Sequence, residues 1–416
     1  MKPGRILCVT SSLPRWSGDS STAFVLHLAQ DLQTLGWQVD LLAPHALGAA
    51  TAERLDGVPV ERFRYLYPAS QQTVCYQGGA LVNLRRRPLD RLKLPALVAA
   101  EGLAVVRRLA SRRYDILHSH WILPQGFVGQ LSHVIGDLPH VVTVHGGDLF
   151  GLRSPLMQRF KRFVLNRADA VTVNSAFTEQ GVRALAPKPL RLERIPMGVT
   201  SEPLDSGQCQ RSQEVRARYR CGAGPLLIFV GRLIEEKGAA DLIQATAQLR
   251  ADYPNIRSLI LGDGPERQAL EQFAAVHSVR DQVHFAGWID PAEIPVWLNA
   301  ADIFVGPSRT AANGWVEAQG LTFIEAMMAR LPVIASRLGG IPDAVIHEHT
   351  GLLVDERAPD QIAAAVHRLT TEPSLAKCLA NKAYHHATIH FSRAASARAF
   401  DVLFRQLMSR RKRDYK

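Results

Sequence analysis

Two glutamates with seven residues between them stand on either side of a glycine in the second half of the chain. Glu317 precedes Gly320, and Glu325 follows it in a stretch that is predicted to become helical at Thr322. A helix that begins beside a turn directs unpaired backbone N–H groups outward, and such groups bind anions. Carboxylates on both sides of an anion site fit a diphosphate carried between two polyols. The pattern therefore predicts a nucleotide-sugar site, whereas an isolated pair would more simply be two solvated glutamates.

A second group joins a glycine to two basic side chains directly after a predicted strand. Phe229-Val230 ends that strand, and Gly231, Arg232 and Lys237 follow. Phosphate groups bind at this position in sheets of parallel strands. Gly231 is expected to allow a tight turn, Arg232 to hold a phosphate with two hydrogen bonds, and Lys237 to add a second positive charge. The group is predicted to neutralise a diphosphate, although residues at this spacing are more commonly a surface pair.

Histidines end two predicted strands in the first half of the chain. His145 is expected to face the ligand, with a structural histidine as the alternative, and Asp148 follows it. His120, two residues after His118, is expected on the acceptor side together with Asp148. A His-x-His metal site is conceivable, but no nearby cysteine or carboxylate cluster completes it in the sequence. Because Asp-x-Asp is also absent from the sequence, no metal and no other cofactor is predicted.

Short apolar runs alternate with amphipathic helical stretches, which is typical of parallel βαβ units. The predicted strands are residues 6–10, 39–43, 116–119, 141–144, 170–174, 192–195, 226–230, 258–261, 283–285, 303–305, 333–335 and 352–354. One predicted helix covers 22–35 and stops at Gly36. A polar stretch that ends near Gly224 is interpreted as the connection between two domains.

The predicted fold class is α/β, with two Rossmann-like, doubly wound parallel-sheet domains facing a central cleft. Residues 1–200 are assigned to an acceptor-side domain and 201–393 to a nucleotide-sugar-binding domain. Residues 394–416 are assigned to a final helix that crosses back to the first domain, followed by a basic tail. Ligands of open α/β sheets bind at the carboxyl ends of the strands, so the cleft is the expected site.

The composition excludes several classes of protein. The chain has 416 residues, of which 47% are hydrophobic and 21% charged. These values argue against disorder and a disulfide scaffold, and no apolar run reaches the ~20 residues that a membrane helix needs. The five cysteines share no ligand-like spacing and fit reduced thiols in a cytoplasmic protein.

Positive charge is concentrated in the first half of the chain. Residues 1–200 carry a net charge of +10, and residues 201–416 carry +1. The basic residues of this charged region are Arg85, Arg86, Arg87, Arg91, Lys93, Arg107, Arg108, Arg112, Arg113, Arg153, Arg159, Lys161 and Arg162. Leucines interleave with the first basic cluster, which runs from Arg85 to Lys93. They are Leu81, Leu84, Leu89, Leu92, Leu94 and Leu97. We expect a face that rests on an anionic membrane surface, with a solvated surface and a water-soluble acceptor as the alternative. No nucleic-acid-binding pattern accompanies the charge.

Taken together, these motifs make the chain resemble the family 4 glycosyltransferases of the GT-B fold over nearly its whole length. The matching segments are Gly231-Arg232, Lys237-Gly238, Leu261–Pro265, Ser308, Glu317, Glu325–Met327, Gly339–Asp343 and Gly351–Val354. The resemblance implies metal-independent transfer of a sugar from a nucleotide diphosphate donor, with retention of configuration. The incoming hydroxyl would then be deprotonated by the leaving diphosphate.

The same resemblance assigns roles to single residues. Arg232 and Lys237 would hold the diphosphate, and Glu325 the ribose hydroxyls. Glu317 would bind the donor sugar, and His145 would lie near it. The other residues implied on the donor side are Gly18, Gly231, Trp288 beside the nucleobase, and the backbone N–H groups of Gly320, Leu321 and Thr322. His145, Arg232, Lys237 and Glu317 form the predicted catalytic set.

The chain departs from the family pattern at two places. Many members carry Gly-Gly where this chain has Gly18-Asp19, so the contact of Gly18 with the diphosphate is in question. Met328-Ala329-Arg330 replaces a small residue and a glycine, with a local packing effect expected.

The predicted function is transfer of a hexose to a hydroxyl of a glycan or glycolipid, in cell-surface polysaccharide or glycolipid biosynthesis. The protein is predicted to be cytoplasmic and peripheral on the inner face of the membrane. A nucleotide-sugar epimerase, a phosphorylase and a non-catalytic nucleotide-sugar-binding protein are the alternatives. The motifs fit uridine and guanosine diphosphate sugars equally.

Overall fold

A computed structural model of the chain describes residues 4–19, 22–76, 79–111, 114–186, 191–200, 202–312 and 314–414. The chain divides into two compact units. Unit 1 comprises residues 1–198 and 393–416, and unit 2 comprises residues 199–392. Ser20, Ser21, Arg112 and Arg113 lie outside the described residues, as do the side chains of Leu81 and of residues 411–416.

In unit 1 the described strands form one eight-stranded sheet in the order β3-β4-β2-β1-β5-β6-β7-β8. The strands are β1 (Arg5–Val9), β2 (Gln38–Pro44), β3 (Ala52–Leu55), β4 (Val58–Phe63), β5 (Ile116–His120), β6 (His140–Val144), β7 (Ala170–Val173) and β8 (Leu192–Arg194). All neighbours are parallel except β3 and β4, which are antiparallel. The parallel strands confirm the predicted Rossmann-like arrangement of this half.

The helices of unit 1 cover both faces of its sheet, which is why the central strands are buried throughout. They are α1 (Ala23–Thr34), α2 (Ala80–Arg86), α3 (Leu94–Ser111), α4 (Phe127–Gly129), α5 (Leu131–Ile135), α6 (Gly147–Phe150), α7 (Pro155–Arg167), α8 (Ala176–Leu185) and, at the end of the chain, α17 (Arg393–Asp414). Short 3₁₀ or π turns cover Ala69–Gln71, Pro88–Lys93 and Ile122–Gly126. Helix α17 packs on α1, where the Trp37 indole N–H donates a hydrogen bond of 2.7 Å to Asp401.

In unit 2 the described strands form a six-stranded sheet, parallel throughout, in the order β11-β10-β9-β12-β13-β14. The strands are β9 (Leu226–Val230), β10 (Arg257–Leu261), β11 (Val283–Gly287), β12 (Ile303–Gly306), β13 (Val333–Ser336) and β14 (Leu352–Val354). The helices are α9 (Ser206–Tyr219), α10 (Ala239–Leu249), α11 (Arg267–Val276), α12 (Ile294–Ala300), α13 (Leu321–Met328), α14 (Ile341–Ala344), α15 (Pro359–Thr371) and α16 (Pro373–Phe391), with 3₁₀ turns over Glu235–Lys237 and Pro291–Glu293. Two apolar clusters, one on each face, bury the sheet.

The structure differs from the sequence prediction in two segments. The hairpin β3–β4 was not predicted, although its turn is Asp56-Gly57, and both residues have the positive φ that a two-residue hairpin turn requires. The polar stretch interpreted as a connection contains α9, because Asp205 and Gln208 form a reciprocal capping box at its start. In the part of the chain that the structure describes, no helix is long and apolar enough to cross a membrane.

Candidate functional site

Two loops of unit 2 join at the carboxyl ends of β9 and β10. The N–H of Gly231 donates to the carbonyl of Leu261 at 2.9 Å, and the N–H of Leu233 donates to that of Asp263 at 3.0 Å. The closest backbone approach in these loops is at Gly262, which has φ +132° and where a Cβ would lie 1.9 Å from the Gly231 carbonyl oxygen. Gly231 itself lacks a positive φ. The predicted phosphate loop is thus fixed by its neighbour rather than by its own glycine.

The next turn of the same loop is held by the segment that follows β12. Gly238 has φ +66°, and a Cβ there would lie 1.8 Å from the carbonyl oxygen of Pro307, so only glycine fits. Arg309 makes a two-point ion pair with Asp241 at 2.8 and 2.5 Å, and its N–H donates to Glu236. This ion pair was not predicted from the sequence. The feature of the sequence that could have indicated it is an arginine that follows the end of a strand. The ion pair holds the turn that carries Lys237.

Lys237 and Glu317 meet in an ion pair. The lysine Nζ lies 2.5 Å from Glu317 Oε2, and the two side chains are only 18% and 12% exposed. Burial alone would raise the pKa of Glu317, but the Lys237 charge and the backbone N–H groups of Gln319 and Gly320 outweigh it and lower that pKa. The sequence assigned these residues to different parts of a ligand, and their pairing was not predicted. In the ligand-free protein each neutralises the other.

The predicted turn before α13 is present. Gly320 has φ +78°, and a Cβ there would lie 2.5 Å from Phe323. The helix begins at Leu321, one residue before the predicted Thr322, and no side chain caps it. The N–H groups of Leu321 and Thr322 therefore lie at the positive end of the helix dipole without a side-chain acceptor, beside the backbone that carries Glu317.

Three further residues of unit 2 were predicted to bind the sugar donor, and each has a group that a ligand could contact. Among the described residues, the Arg232 guanidinium has no hydrogen-bond or ion-pair partner, and Arg232 is exposed. Trp288 follows β11 and is 63% exposed. Burial raises the pKa of the Glu325 carboxyl, one turn into α13, to about 7. A cation, an exposed aromatic ring and a carboxyl group with a raised pKa thus follow three strands of one sheet, the first two on loops and the third on helix α13.

In unit 1, His145 follows β6 and its ring is neutral. Burial lowers the pKa of His145 to about 3. Asp148 is buried, and its carboxylate accepts hydrogen bonds from the N–H groups of Ile122 (2.8 Å) and His145 (3.1 Å). Both carboxylate oxygens of Asp148 are thus engaged in bracing the His145 loop, and its place on the acceptor side remains a prediction.

His120 is fully buried, and its Nδ1 lies 3.0 Å from His145 Nε2, with the two rings stacked. In this arrangement His120 supports the ring of His145, and its place on the acceptor side remains a prediction. The structure also places Cys8 beside His118 and His120, although the sequence had shown no cysteine near this pair. The reason is topological, since β1 and β5 are neighbours and Cys8 is in register with His118.

The loop after β1 carries Gly18. Gly18 has φ +84° with open space around the position of a Cβ. Asp19 accepts hydrogen bonds from the Arg15 guanidinium at 2.8 and 3.1 Å, and this guanidinium lies over the Trp16 ring. The contact of Gly18 with a diphosphate remains a prediction.

The basic segments of unit 1 lie only partly on the surface. The exposed members are Arg85, Arg86, Arg87, Leu89, Arg91, Leu92, Arg107, Arg153, Arg159 and Arg162. Leu84 and Leu97 belong instead to the core, and Arg108 pairs with Glu61 at 3.3 Å. Lys161 is buried and donates to the carbonyl of Leu149 at 2.8 Å. These four residues are removed from the predicted membrane face.

Comparison with known proteins matches both halves of the chain to glycosyltransferase models. Residues 21–198 match "Glycosyl transferase 4-like domain", and residues 213–386 match "Glycosyl transferases group 1". D-inositol 3-phosphate glycosyltransferase of Acidothermus cellulolyticus is 32% identical over 327 residues, which are 72% of this chain and 70% of that protein. The chain belongs to glycosyltransferase family 4.

Another relative of this family 4 chain is a GDP-mannose-dependent alpha-(1-6)-phosphatidylinositol monomannoside mannosyltransferase of Mycobacterium tuberculosis. It is 32% identical over 247 residues, 59% of this chain. The match spans 64% of that enzyme's length, slightly less than two thirds. Sucrose-phosphate synthase of Thermosynechococcus elongatus superposes with a TM-score of 0.77 at 24% identity, over 98% of this chain and 99% of that one. The fold is GT-B, with two Rossmann-like domains.

Proposed function

We propose that this protein transfers a hexose from a nucleotide diphosphate sugar to a hydroxyl group of a glycan or a lipid-linked acceptor, with retention of configuration. The observation that carries the proposal is the Lys237–Glu317 ion pair beside the uncapped start of α13. It places a buried cation, a buried carboxylate and free backbone N–H groups next to one another. A diphosphate bound to a sugar matches that set of groups.

In the proposed mechanism, the cations stabilise the leaving diphosphate. Arg232 is free to bind a phosphate, and Lys237 exchanges its bond with Glu317 for one with the diphosphate. The N–H groups of Leu321 and Thr322 add the positive end of the helix dipole. Because negative charge accumulates on the diphosphate as the glycosidic C–O bond breaks, these interactions strengthen in the transition state.

The carboxylates would bind hydroxyl groups. Glu317, released by Lys237, accepts hydrogen bonds from the donor sugar. Glu325 accepts them from the ribose, and since burial raises its pKa to about 7, hydrogen bonds from the hydroxyls favour the ionised form and release a proton near neutral pH. His145 is neutral at this pH and contributes hydrogen bonding rather than a positive charge.

The leaving diphosphate would accept the proton of the acceptor hydroxyl. In retention with a single displacement on one face of the sugar, the diphosphate oxygen that leaves carbon 1 takes the proton of the incoming hydroxyl. One C–O bond breaks, one forms, and the nucleoside diphosphate departs. We propose that this needs no metal or other cofactor, because Arg232 and Lys237 provide the positive charge that a divalent ion would supply.

The names of the relatives guide the choice of donor and acceptor. The mycobacterial enzyme is named for GDP-mannose and a phosphatidylinositol mannoside, which supports GDP-mannose as the first donor to assay and a lipid-linked acceptor as the first class to test. Thermal shift against GDP, UDP and ADP identifies the base, because a ligand that binds only the folded protein raises its Tm. Transfer from the matching sugar nucleotide is then followed with and without Mg²⁺ or Mn²⁺.

The expected product is a glycoside with the anomeric configuration of the donor, formed at a rate that these ions do not raise. An inverted product, or a rate that depends on the added ion, would refute the mechanism. Release of nucleoside diphosphate only in the presence of acceptor distinguishes a transferase from an epimerase, and phosphate dependence would indicate a phosphorylase.

We further propose that one face of unit 1 rests on an anionic membrane. Helix α7 exposes Leu156, Phe160 and Phe163 on one side, and the Phe127 ring packs edge-on against Phe160 at 5.5 Å. Four exposed basic residues lie on the same helix or just before it, namely Arg153, Arg159, Arg162 and Arg167, and the Arg167 guanidinium lies over the Phe163 ring. Exposed aromatic rings on a helix that also carries exposed arginines fit lipid headgroups, each basic residue contributing about 1 kcal/mol near the surface. A lipid-linked acceptor is consistent with such a face.

Vesicle co-sedimentation tests this surface. Wild-type protein should bind vesicles of phosphatidylglycerol and phosphatidylcholine at low salt, and Phe160→Ser/Phe163→Ser should lose most of that binding. Val276→Ser, which changes an 80% exposed residue of unit 2, is the matched control and should bind like wild type. Equal binding by the double variant, or wild-type binding that ignores lipid charge and salt, would refute this surface.

A further inference from the structure

A group of three possible metal ligands lies inside unit 1. Cys8 of β1 and His118 and His120 of β5 each offer one ligand atom, and these atoms all lie within 4.8 Å of one another. Cys8 is in register with His118, and His120 is two residues further along the same strand, so the three side chains share one face of the sheet. All three residues are buried.

Each of the two imidazoles has one nitrogen close to a hydrogen-bonding side chain, which leaves its other nitrogen for a metal ion. His118 Nε2 lies 2.7 Å from Thr143 Oγ1, which in turn lies 2.7 Å from Thr172 Oγ1. His120 uses Nδ1 toward His145, and its Nε2 is a buried atom with no hydrogen-bond partner among the described residues. Metal-bound histidines almost always engage their second nitrogen in this way. A fully buried imidazole nitrogen without a partner is otherwise costly.

The surroundings leave no room for a water molecule that could hydrogen-bond to His120 Nε2. The gap beside the three residues is lined by apolar side chains of α1, including Val25, Leu28 and Leu32, and has no space for a water molecule. The Phe400 ring of α17 lies 5.2 Å from the His118 ring. The unpaired nitrogen therefore faces a thiol and a second imidazole in a dry environment.

We propose that Cys8, His118 and His120 bind one thiophilic metal ion, Zn²⁺ or Cu⁺. A thiolate and two neutral imidazoles are a donor set that both ions accept. Binding forms one metal–sulfur and two metal–nitrogen bonds, and the thiol proton of Cys8 is released to solvent. With bonds of about 2.0–2.3 Å, ligand atoms in such a site lie roughly 3.3–4 Å apart, so the side chains need to move by about 1 Å.

The geometry favours Cu⁺ over Zn²⁺. Structural zinc almost always takes four ligands, whereas the described residues supply three and the apolar walls admit no water as a fourth. A bound ion would also fix His120 with its proton on Nδ1, directed at His145 Nε2. It would therefore lock the orientation of His145 without contacting a substrate. The proposal is independent of sugar transfer, because it is tested by metal content alone.

Metal content of the full-length chain, purified without a polyhistidine tag, tests the site. Because the ligands are buried, the protein is refolded from denaturant with Zn²⁺ in one arm and with Cu⁺ kept reduced in another. It is then dialysed against EDTA and measured by inductively coupled plasma mass spectrometry. Cys8→Ala and His120→Asn remove one ligand each. Cys75→Ala is the matched control, since Cys75 is equally buried in the same unit but outside the group.

We expect one ion per chain in wild type and in Cys75→Ala, and at least a tenfold loss in Cys8→Ala and His120→Asn. Retention in only one arm identifies the ion. Folding of each variant is checked by circular dichroism, so that either ligand variant alone suffices if the other does not fold. No retained ion in wild type in either arm, or equal retention in wild type and a folded ligand variant, would overturn the proposal.

Discussion

The polar groups at the carboxyl ends of the two sheets differ in charge, because those of unit 2 are ionised and those of unit 1 are neutral. In unit 2, Lys237 and Glu317 are ionised and paired, and Arg232 is exposed beside them. In unit 1, His120 and His145 are stacked, and burial lowers the pKa of both, so that both rings are neutral. Two sheets of the same class therefore support different chemistry. Unit 2 can stabilise developing negative charge, and unit 1 can orient neutral hydrogen-bonding groups.

The same comparison shows that net charge does not locate a charged site. The first 200 residues carry +10, yet the histidines at the end of their sheet are neutral, and many of the exposed basic residues lie on α2, α7 and their flanking turns. The remaining residues carry only +1 and contain the ion pair and the free arginine. Function follows the local placement of a few side chains.

Lys237→Ala should have the largest effect on catalysis. Removing one group that stabilises the leaving diphosphate should lower kcat by about 100-fold or more. Steady-state kinetics with the identified donor measure this loss. Lys377→Ala, which changes an exposed lysine of the same unit, should retain wild-type kcat. If Lys237→Ala kept its turnover, the proposed charge of unit 2 would play no part in the chemistry.

The same substitution should destabilise unit 2, and a second one should reverse part of the loss. Without Lys237, Glu317 is a buried carboxylate without its cation, which costs about 2–3 kcal/mol. Lys237→Ala/Glu317→Gln removes that charge and should recover at least half of the loss in a urea unfolding experiment, while activity stays low. If the double variant were no more stable than Lys237→Ala, the Lys237 charge would not be what compensates the Glu317 carboxylate in the folded protein.

Acidification should affect the two units in opposite directions. Burial lowers the pKa of His140 in unit 1 to about 3 and raises that of Glu325 in unit 2 to about 7. The His140 contribution is present above pH 6.5 and is lost as pH falls, by about 2 kcal/mol at pH 5. Glu325 contributes the reverse, since its stabilising effect is complete below pH 4.5 and is lost as pH rises through 7.

Variants separate these two contributions from all other titrating groups. The free energy of unfolding is measured from pH 7.5 to 5 for wild type, His140→Gln and Glu325→Gln. Relative to wild type, His140→Gln should gain stability as pH falls and Glu325→Gln should lose it. Parallel pH curves for all three proteins would contradict the burial that shifts the pKa of these two groups.

Two glycine substitutions compare the two units directly. Gly18→Ala meets only the cost of a positive φ, about 1 kcal/mol, because nothing lies near the new Cβ. Gly320→Ala adds a clash with Phe323 and should cost about 1–2 kcal/mol more. Thermal unfolding measures both. A donor KM that rises in Gly18→Ala would support the contact predicted for that loop, and equal destabilisation by both substitutions would contradict the described turn at Gly320.

Apolar periodicity was sufficient to predict the parallel strands. Each predicted strand overlaps an observed one, because strands buried on both faces are continuous apolar runs that few other structures share. The hairpin β3–β4 was missed since both strands mix polar with apolar residues and β3 is partly exposed, although Asp56-Gly57 is a recognisable turn signal.

The site was harder to predict than the fold, because its geometry depends on contacts between distant residues. The Lys237–Glu317 pair joins positions 80 residues apart, and the Arg309–Asp241 pair joins positions 68 apart. Sequence spacing could propose their chemistry but not their partners. The burial of His120 had the same cause, since a strand-end histidine is exposed or covered according to what the rest of the chain packs on it.

Arg330 shows how a departure from a family pattern is accommodated. It has φ +56°, a conformation that glycine adopts without strain, and its guanidinium lies 3.7 Å from the centre of the Tyr384 ring. The expected local packing effect is thus a stacking contact with α16.

The most direct test of the central claim is calorimetric titration of the identified nucleoside diphosphate against its monophosphate. If Arg232 and the neighbouring groups of unit 2 form a diphosphate site, the diphosphate should bind at least tenfold more tightly in wild type and in Lys377→Ala. In Arg232→Ala that preference should shrink several-fold while monophosphate affinity changes little. Equal affinities for the two nucleotides in wild type, or an undiminished preference in Arg232→Ala, would contradict the account.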